Sequence, residues 1–136
     1  MGLDQYIFRV KGKELESIKD ITNDDTIAYF RKANCLQNYF EQKYEIENCV
    51  PHNMSLDDIK DILDKVTKVL ENHSLAEQLF PTCAGFFYGS LDYGEGYFYD
   101  LREIKKAFKF ILDEWKEEDN FYYYCWYCFD CVYRCF

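Results

Sequence analysis

Cys125, Cys128, Cys131 and Cys135 stand at C-x2-C-x2-C-x3-C spacing inside the closing run FYYYCWYCFDCVYRCF, a spacing that ferredoxins use to wrap thiolates around an iron-sulfur cluster. A cluster loop has to curl, and it usually needs glycine or other small residues to do so. Here the neighbours are Tyr, Trp, Phe and Val, which suit a pleated, half-buried strand. On an extended chain Cys125, Cys131 and Cys135 point to one face and Cys128 to the other, so no strand offers all four to one ion. Zinc is served no better, because structural zinc sites separate two cysteine pairs by a dozen or more residues. The tail therefore reads as a terminal strand with small buried thiols. No cofactor is expected, and a metal or iron-sulfur site at these four cysteines is the alternative.

A second candidate chemistry is nucleophilic. Pro81-Thr82-Cys83-Ala84-Gly85 puts a thiol in a small-residue turn, and His52 and His73 are the two imidazoles that could serve as its base. Neither lies in a recognisable catalytic signature, so Cys83 reads as a packed thiol. Gly85, Gly89, Gly94 and Gly96 fit neither a phosphate loop nor a dinucleotide fingerprint, because no Lys-Ser/Thr follows and the spacing is wrong. No catalytic residue is assigned, and binding is favoured over catalysis.

Two sets of residues could bind. Arg31, Lys32 and Asn34 interrupt an expected helix whose opposite face is apolar, and Ser90, Tyr93 and Tyr97, with Tyr88 and Tyr99, could form the opposite wall of a ligand site, since tyrosine offers rigid area with a polar tip. The competing reading has Arg31 paired to a carboxylate, Asn34 bonding a neighbouring loop and the tyrosines packing the sheet. Asp113, Glu114, Glu117, Glu118 and Asp119 crowd the end of a helix, where the macrodipole prefers cations. With Asp57, Asp58, Asp61 and Asp64 they could present a negative face to a basic protein; solubility is the bland explanation.

Composition and pattern set the frame that would position these residues. The chain has 136 residues, 20% of them aromatic, and 16 Lys and Arg against 25 Asp and Glu give a net charge of -9. That length suits a single domain, 1–136, with one core. The charge disfavours direct binding to nucleic acid and favours a basic partner. No signal segment, membrane span or lipidation motif is read, so a cytoplasmic protein with reduced thiols is expected. Leu3 to Val10 alternates as a strand. A helix is expected from Asn23 or Asp24 to about Tyr44, with Tyr29, Ala33, Leu36 and Phe40 on one face. Ser55 caps a second helix carrying Ile59, Ile62, Val66 and Val69. Cys83 to Gly89 reads as a buried strand, Tyr97 to Tyr99 as its hairpin partner, and a third helix runs from Asp100 through Trp115. The expected fold is α+β: a small antiparallel sheet packed by three helices, with the first and last strands adjacent near its centre. The aromatic last strand could recruit a second copy, giving a homodimer through the C-terminal strand.

The opening Met1-Gly2-Leu3-Asp4-Gln5-Tyr6, the segment Ala28-Tyr29-Phe30-Arg31-Lys32-Ala33-Asn34, the run Ala76-Glu77-Gln78-Leu79-Phe80-Pro81-Thr82 and the following Gly85-Phe86-Phe87-Tyr88-Gly89-Ser90 together resemble a family of small proteins of bacteriophages and prophages. That family opens MGLDMYL, carries YWRKAN on a helix and PTxSGFFFGS before an acidic, tyrosine-rich turn, and closes on a tyrosine-rich strand ending in Trp. This chain departs from it by lacking long insertions near the second helix and by running ten residues past Trp126, where Cys128, Cys131 and Cys135 lie. No activity is attached to the family, so the resemblance implies a context, a phage or prophage accessory protein, without a mechanism. With the acidic charge, it leads to the expectation of a non-enzymatic binder that inhibits a host defence protein of the CRISPR or restriction type, through a basic surface on that host protein. The alternative is a small-molecule or nucleotide-binding protein or enzyme built on Arg31, Asn34 and the Tyr88 to Tyr99 region.

Overall fold

A computed structural model describes residues 2–11, 25–85 and 88–126. In chain order the elements are β1 (Asp4–Lys11), β2 (Thr26–Arg31), α1 (Asn34–Lys43), β3 (His52–Asn53), α2 (Leu56–Glu71), a 3-10 turn (His73–Leu75), the one-turn α3 (Ala76–Leu79), α4 (Glu95–Asp113) and β4 (Asp119–Trp126). The strands form one antiparallel sheet in the order β2-β1-β4-β3. This is the expected α+β architecture, with the first and last strands side by side at its centre. Among the described residues no helix is long and apolar enough to cross a membrane.

β1 and β4 pair along their whole length, from Asp4 opposite Trp126 to Lys11 opposite Asp119. The two-residue side-chain period divides them cleanly. Leu3, Ile7, Phe121, Tyr123 and Cys125 face the helices, while Phe8, Val10, Tyr122, Tyr124 and Cys49 gather on the opposite face. The helices supply the rest of the main core, chiefly Leu36 and Phe40 of α1, Ile59, Ile62, Val66 and Val69 of α2, and Leu101, Ile104, Phe108 and Ile111 of α4. α2 begins as its residues dictate: Ser55 Oγ accepts from the Asp58 N–H at 3.1 Å, and Asp57 and Asp58 meet the positive helix end.

Four expectations need correction. Thr26–Arg31 is a strand rather than the start of α1, pairing Tyr6 with Tyr29 and Asp4 with Arg31. Its apolar spacing imitates a helix, but Lys32 takes a left-handed φ of 58° that ends the strand before α1 starts. Residues 12–24, including the expected cap at Asn23 or Asp24, lie outside the described residues. The segment around Cys83, Ala84, Gly85 and Tyr88 to Gly89 is irregular rather than a strand; Phe86 and Phe87 lie outside the described residues. Tyr97, Phe98 and Tyr99 belong to α4, which starts five residues before Asp100. Finally, β4 is an inner strand: β1 flanks one side, and on the other Met54 N–H bonds Phe121 O at 2.8 Å and Cys49 N–H bonds Cys125 O at 2.9 Å. The sheet edges are therefore β2 and β3, and β4 is flanked on both sides between Phe121 and Cys125. Cys125 is fully buried in the core, while Cys128, Cys131 and Cys135 lie outside the described residues.

Candidate functional site

α1 is an unusually polar buried helix, and its polar side chains hold the site together. Asn34, Gln37 and Asn38 are all buried, so each has to find partners. Asn34 Nδ2 donates to Tyr88 O at 3.1 Å and Ser90 O at 2.9 Å, and Asn34 Oδ1 accepts from the Cys83 N–H at 3.3 Å. Asn38 Nδ2 donates to Pro81 O at 3.1 Å. Together they supply hydrogen bonds that a strand partner would otherwise give to Pro81, Cys83, Tyr88 and Ser90, so residues 81–85 and 88–90 lie over the start of α1 as irregular chain.

Between that loop, the β2–α1 junction and the first turns of α4 lies a cleft of about 490 Å³. Arg31, Lys32, Asn34, Ser90 and Tyr97, five of the six residues picked out by sequence as a ligand site, line it. The sixth, Tyr93, sits behind the wall, where its hydroxyl accepts from the N–H of Thr82, a lining residue, at 3.2 Å and its ring meets Tyr97 edge-on. The bland readings hold for part of the set. Arg31 pairs with Asp4 at 3.3 Å, with half of its side chain exposed. Asn34 is consumed in bracing the loop, and the Tyr97 hydroxyl donates to Phe80 O at 2.7 Å. Lys32 is exposed, and among the described residues it has no ion-pair partner. Its stem lies along Gly89, where an added Cβ would stand 3.1 Å from Lys32 Cβ. Gly89 itself has φ 88°, so two left-handed residues in contact shape this rim, a conformation that glycine adopts freely and lysine at a cost.

Tyr99, read from sequence with the tyrosine wall, lines the cleft too, and the structure adds lining residues that sequence reasoning missed, among them Cys35, Thr82, Asp92, Glu95 and Asp100. Asp100 is the most telling. It is partly buried, and among the described residues its carboxyl has no hydrogen-bond partner. Burial pushes its pKa up to about 6, as expected for a carboxylate removed from water without a compensating donor. A raised folded pKa means that the folded state holds the proton more tightly, so this group's contribution is fully present below about pH 4 and is lost as pH rises through 6. Asp100→Asn is therefore expected to stabilise the protein at pH 7.5 by about 1 kcal/mol, a modest gain because the carboxyl is still partly open to solvent. The gain should vanish near pH 4; equal urea midpoints for the two proteins at pH 7.5 would contradict this. The N-terminus of α4 also faces the cleft, with Gly94 as N-cap and no side chain bonding its first turn. A Cβ at Gly94 or Gly96 would meet nothing within 4 Å.

The other candidates fall elsewhere. Cys83 donates to Asn34 O at 3.4 Å and lies 3.8 Å from Glu41 Oε2. Burial and that carboxylate push its thiol up to about 12, so it is protonated at neutral pH, the opposite of an activated nucleophile. His52 sits against Phe40 and Tyr44, and His73 stacks on Phe98. Among the described residues no three His, Cys, Asp or Glu side chains are grouped to hold a metal ion. The acidic face is only partly available. Asp119 is buried, accepting from Arg9 Nε at 3.1 Å and Nη2 at 2.9 Å. Asp58 is buried beside Lys43, Asp61 pairs with Lys65 and Asp64 with Lys68. Asp113, Glu114, Glu117 and Glu118 are exposed, and among the described residues they form no ion pair.

No protein-family model matches the chain, and neither a curated protein nor a solved structure matches it.

Proposed function

We propose that the protein binds a small polar molecule in the cleft between the β2–α1 junction and the start of α4. One observation carries this reading: the fold brings Arg31 and Lys32, 68 or more residues before Asp100 in the chain, to the same cleft as that unpartnered carboxyl. Folding alone gains nothing from a partly buried acid to which no described residue donates, and a ligand carrying a donor would complement it. The cleft's size falls in the range of roughly 300–1,000 Å³ typical of small-molecule sites. Mass spectrometry under non-denaturing conditions tests this on protein purified from cells. A co-purifying small ligand, lost in Arg31→Ala and Lys32→Glu, is expected. Absence of any such ligand, with no thermal shift across a metabolite panel, would overturn the reading.

A second reading rests on the exposed acids Asp113, Glu114, Glu117 and Glu118, which form no ion pair among the described residues. In it the protein is a phage or prophage accessory factor whose acidic end occupies the basic surface of a host defence protein of the CRISPR or restriction type, acting without catalysis in the host cytoplasm. Complementary charge at such a face steers association and is screened by salt. Reversal of Glu114, Glu117 and Glu118 to Lys is expected to abolish inhibition of such a nuclease and to leave cleft binding intact. Undiminished inhibition by the reversed variant would remove this reading.

A further inference from the structure

We propose that the ligand of the cleft is a nucleoside monophosphate, with its phosphate at Arg31 and Lys32 beside the first turn of α4 and its base along Tyr99 toward Asp100. This rests on the cleft being a binding site, as proposed above. The anionic end of the ligand follows from the basic wall. Arg31 and Lys32 are consecutive and exposed at the rim, and a guanidinium and an ammonium together match phosphate oxygens. The open start of the 19-residue α4 adds backbone donors on the same cleft, and the missing side chains at Gly94 and Gly96 leave room for close approach.

Charge then limits how much phosphate the cleft can take. Asp92, Glu95 and Asp100 share the lining with those two cations, so the cleft has no positive surplus, and the whole chain carries -9. Each added phosphate group meets uncompensated carboxylate repulsion, so one phosphate is favoured over three.

The other end of the ligand follows from Asp100 and Tyr99. An ionised carboxyl accepts hydrogen bonds and donates none, so Asp100 calls for N–H donors, which the ring and amino nitrogens of a base provide. Tyr99, 56% exposed although it lines the cleft, offers a flat face on which a base can stack. Inorganic phosphate would leave most of the 490 Å³ empty, and a sugar phosphate would leave Tyr99 uncovered.

Isothermal titration at low ionic strength, on the full chain stripped of any co-purified ligand, tests this with AMP, GMP, CMP and UMP. Their nucleosides, their triphosphates, ribose 5-phosphate and inorganic phosphate serve as comparison probes. At least one monophosphate is expected to bind 10-fold or more tightly than its nucleoside, its triphosphate and ribose 5-phosphate. Gly96→Leu, whose side chain enters the open space at the helix start, should weaken that binding at least 10-fold with an unfolding midpoint no lower than before, since leucine favours the helix over glycine. Asp100→Asn should weaken it while leaving the protein more stable at pH 7.5. Ribose 5-phosphate or inorganic phosphate binding as tightly as every monophosphate would overturn the nucleoside assignment. If no monophosphate binds but another molecule co-purifies and is lost in Arg31→Ala, the ligand class fails and the cleft reading stands. If nothing binds and nothing co-purifies, both fail.

Discussion

Gln5→Leu is expected to lower the unfolding free energy by about 2–4 kcal/mol, since a buried polar group left without its partner costs about 1–3 kcal/mol and each further lost hydrogen bond about 0.5–1.5 kcal/mol. Gln5 is completely buried on the helix-facing side of β1. Its Oε1 accepts from the Ala33 N–H at 2.8 Å, and its Nε2 donates to Ala33 O at 2.9 Å and to the Tyr123 hydroxyl at 2.8 Å. Ala33 is the N-cap of α1 and has no side chain with which to cap it, so the Gln5 amide fixes the start of that helix to the sheet. Tyr123 passes the chain of bonds on, donating to Gln37 Oε1 at 2.5 Å; Gln37 Nε2 in turn donates to Glu41 at 3.1 Å. Leu fills the volume of Gln but strands the Ala33 N–H and removes one bond each from Tyr123 and from the Ala33 carbonyl, which still accepts from the Leu36 and Gln37 N–H groups. Tyr123→Phe keeps the ring that stacks on Phe40 at 4.4 Å and is expected to cost less, about 1–2 kcal/mol. Because the two residues share one network, the double variant should lose less than the sum of the singles. Urea unfolding checks all three, and a loss below 1 kcal/mol for Gln5→Leu would contradict the argument.

Asp58→Ala is expected to cost about 2–4 kcal/mol, at the low side of the roughly 3–5 kcal/mol for breaking a buried pair, because Lys43 is partly solvated. The Asp58 carboxylate is 3% exposed, and the Lys43 side chain that pairs with it at 2.8 Å is 44% exposed. Tyr44 also donates to Asp58 at 2.5 Å. Burial pushes the Asp58 carboxyl up, but the bonds from Lys43 and Tyr44 outweigh this and hold it below the ordinary carboxylate value. A depressed folded pKa means that this stability is present above about pH 4 and is lost as pH falls through the folded value. His52 has the same sense at higher pH. Burial lowers its pKa, its Nε2 has no hydrogen-bond partner among the described residues, and its ring lies 4.5 Å from that of Tyr44. Its neutral form thus contributes stability above about pH 6.5 that falls away below it. Acid unfolding followed by circular dichroism should shift to higher pH in Asp58→Ala. An unchanged acid midpoint would show that the carboxylate is not held by its partners.

Much of the frame was legible because it depends on neighbours in sequence. Ser55 and the acids after it announce α2, and the apolar spacing through Val69 sets its buried face. The aromatic alternation at the end of the chain marks β4, whose Tyr123 and Cys125 turn inward while Tyr122 and Tyr124 turn away. Local pattern failed where the deciding partner was distant. Ile27, Phe30, Ala33 and Leu36 keep helical spacing, yet Thr26–Arg31 bonds to β1, whose edge is open to it. Likewise Tyr97 and Phe98 read as strand formers, but the buried ring of Tyr97 and its bond to Phe80 O make them the first turns of α4.

The site divides in the same way. Residue type alone picked out Arg31, Lys32, Asn34, Ser90 and Tyr97, because cations, amides and tyrosines among apolar neighbours are chemically conspicuous. Asp100 was not conspicuous, since an acid near a helix start is ordinary until its surroundings are known. The amino-acid sequence by itself determined the element types with short-range signals, the acidic charge and the inventory of groups able to bind. Only the tertiary structure decided which of those groups share a cleft, which are consumed in bracing the loop, and which carboxyls are paired or left alone. Those outcomes depend on burial and on partners dozens of residues away, and no local pattern in the chain encodes either.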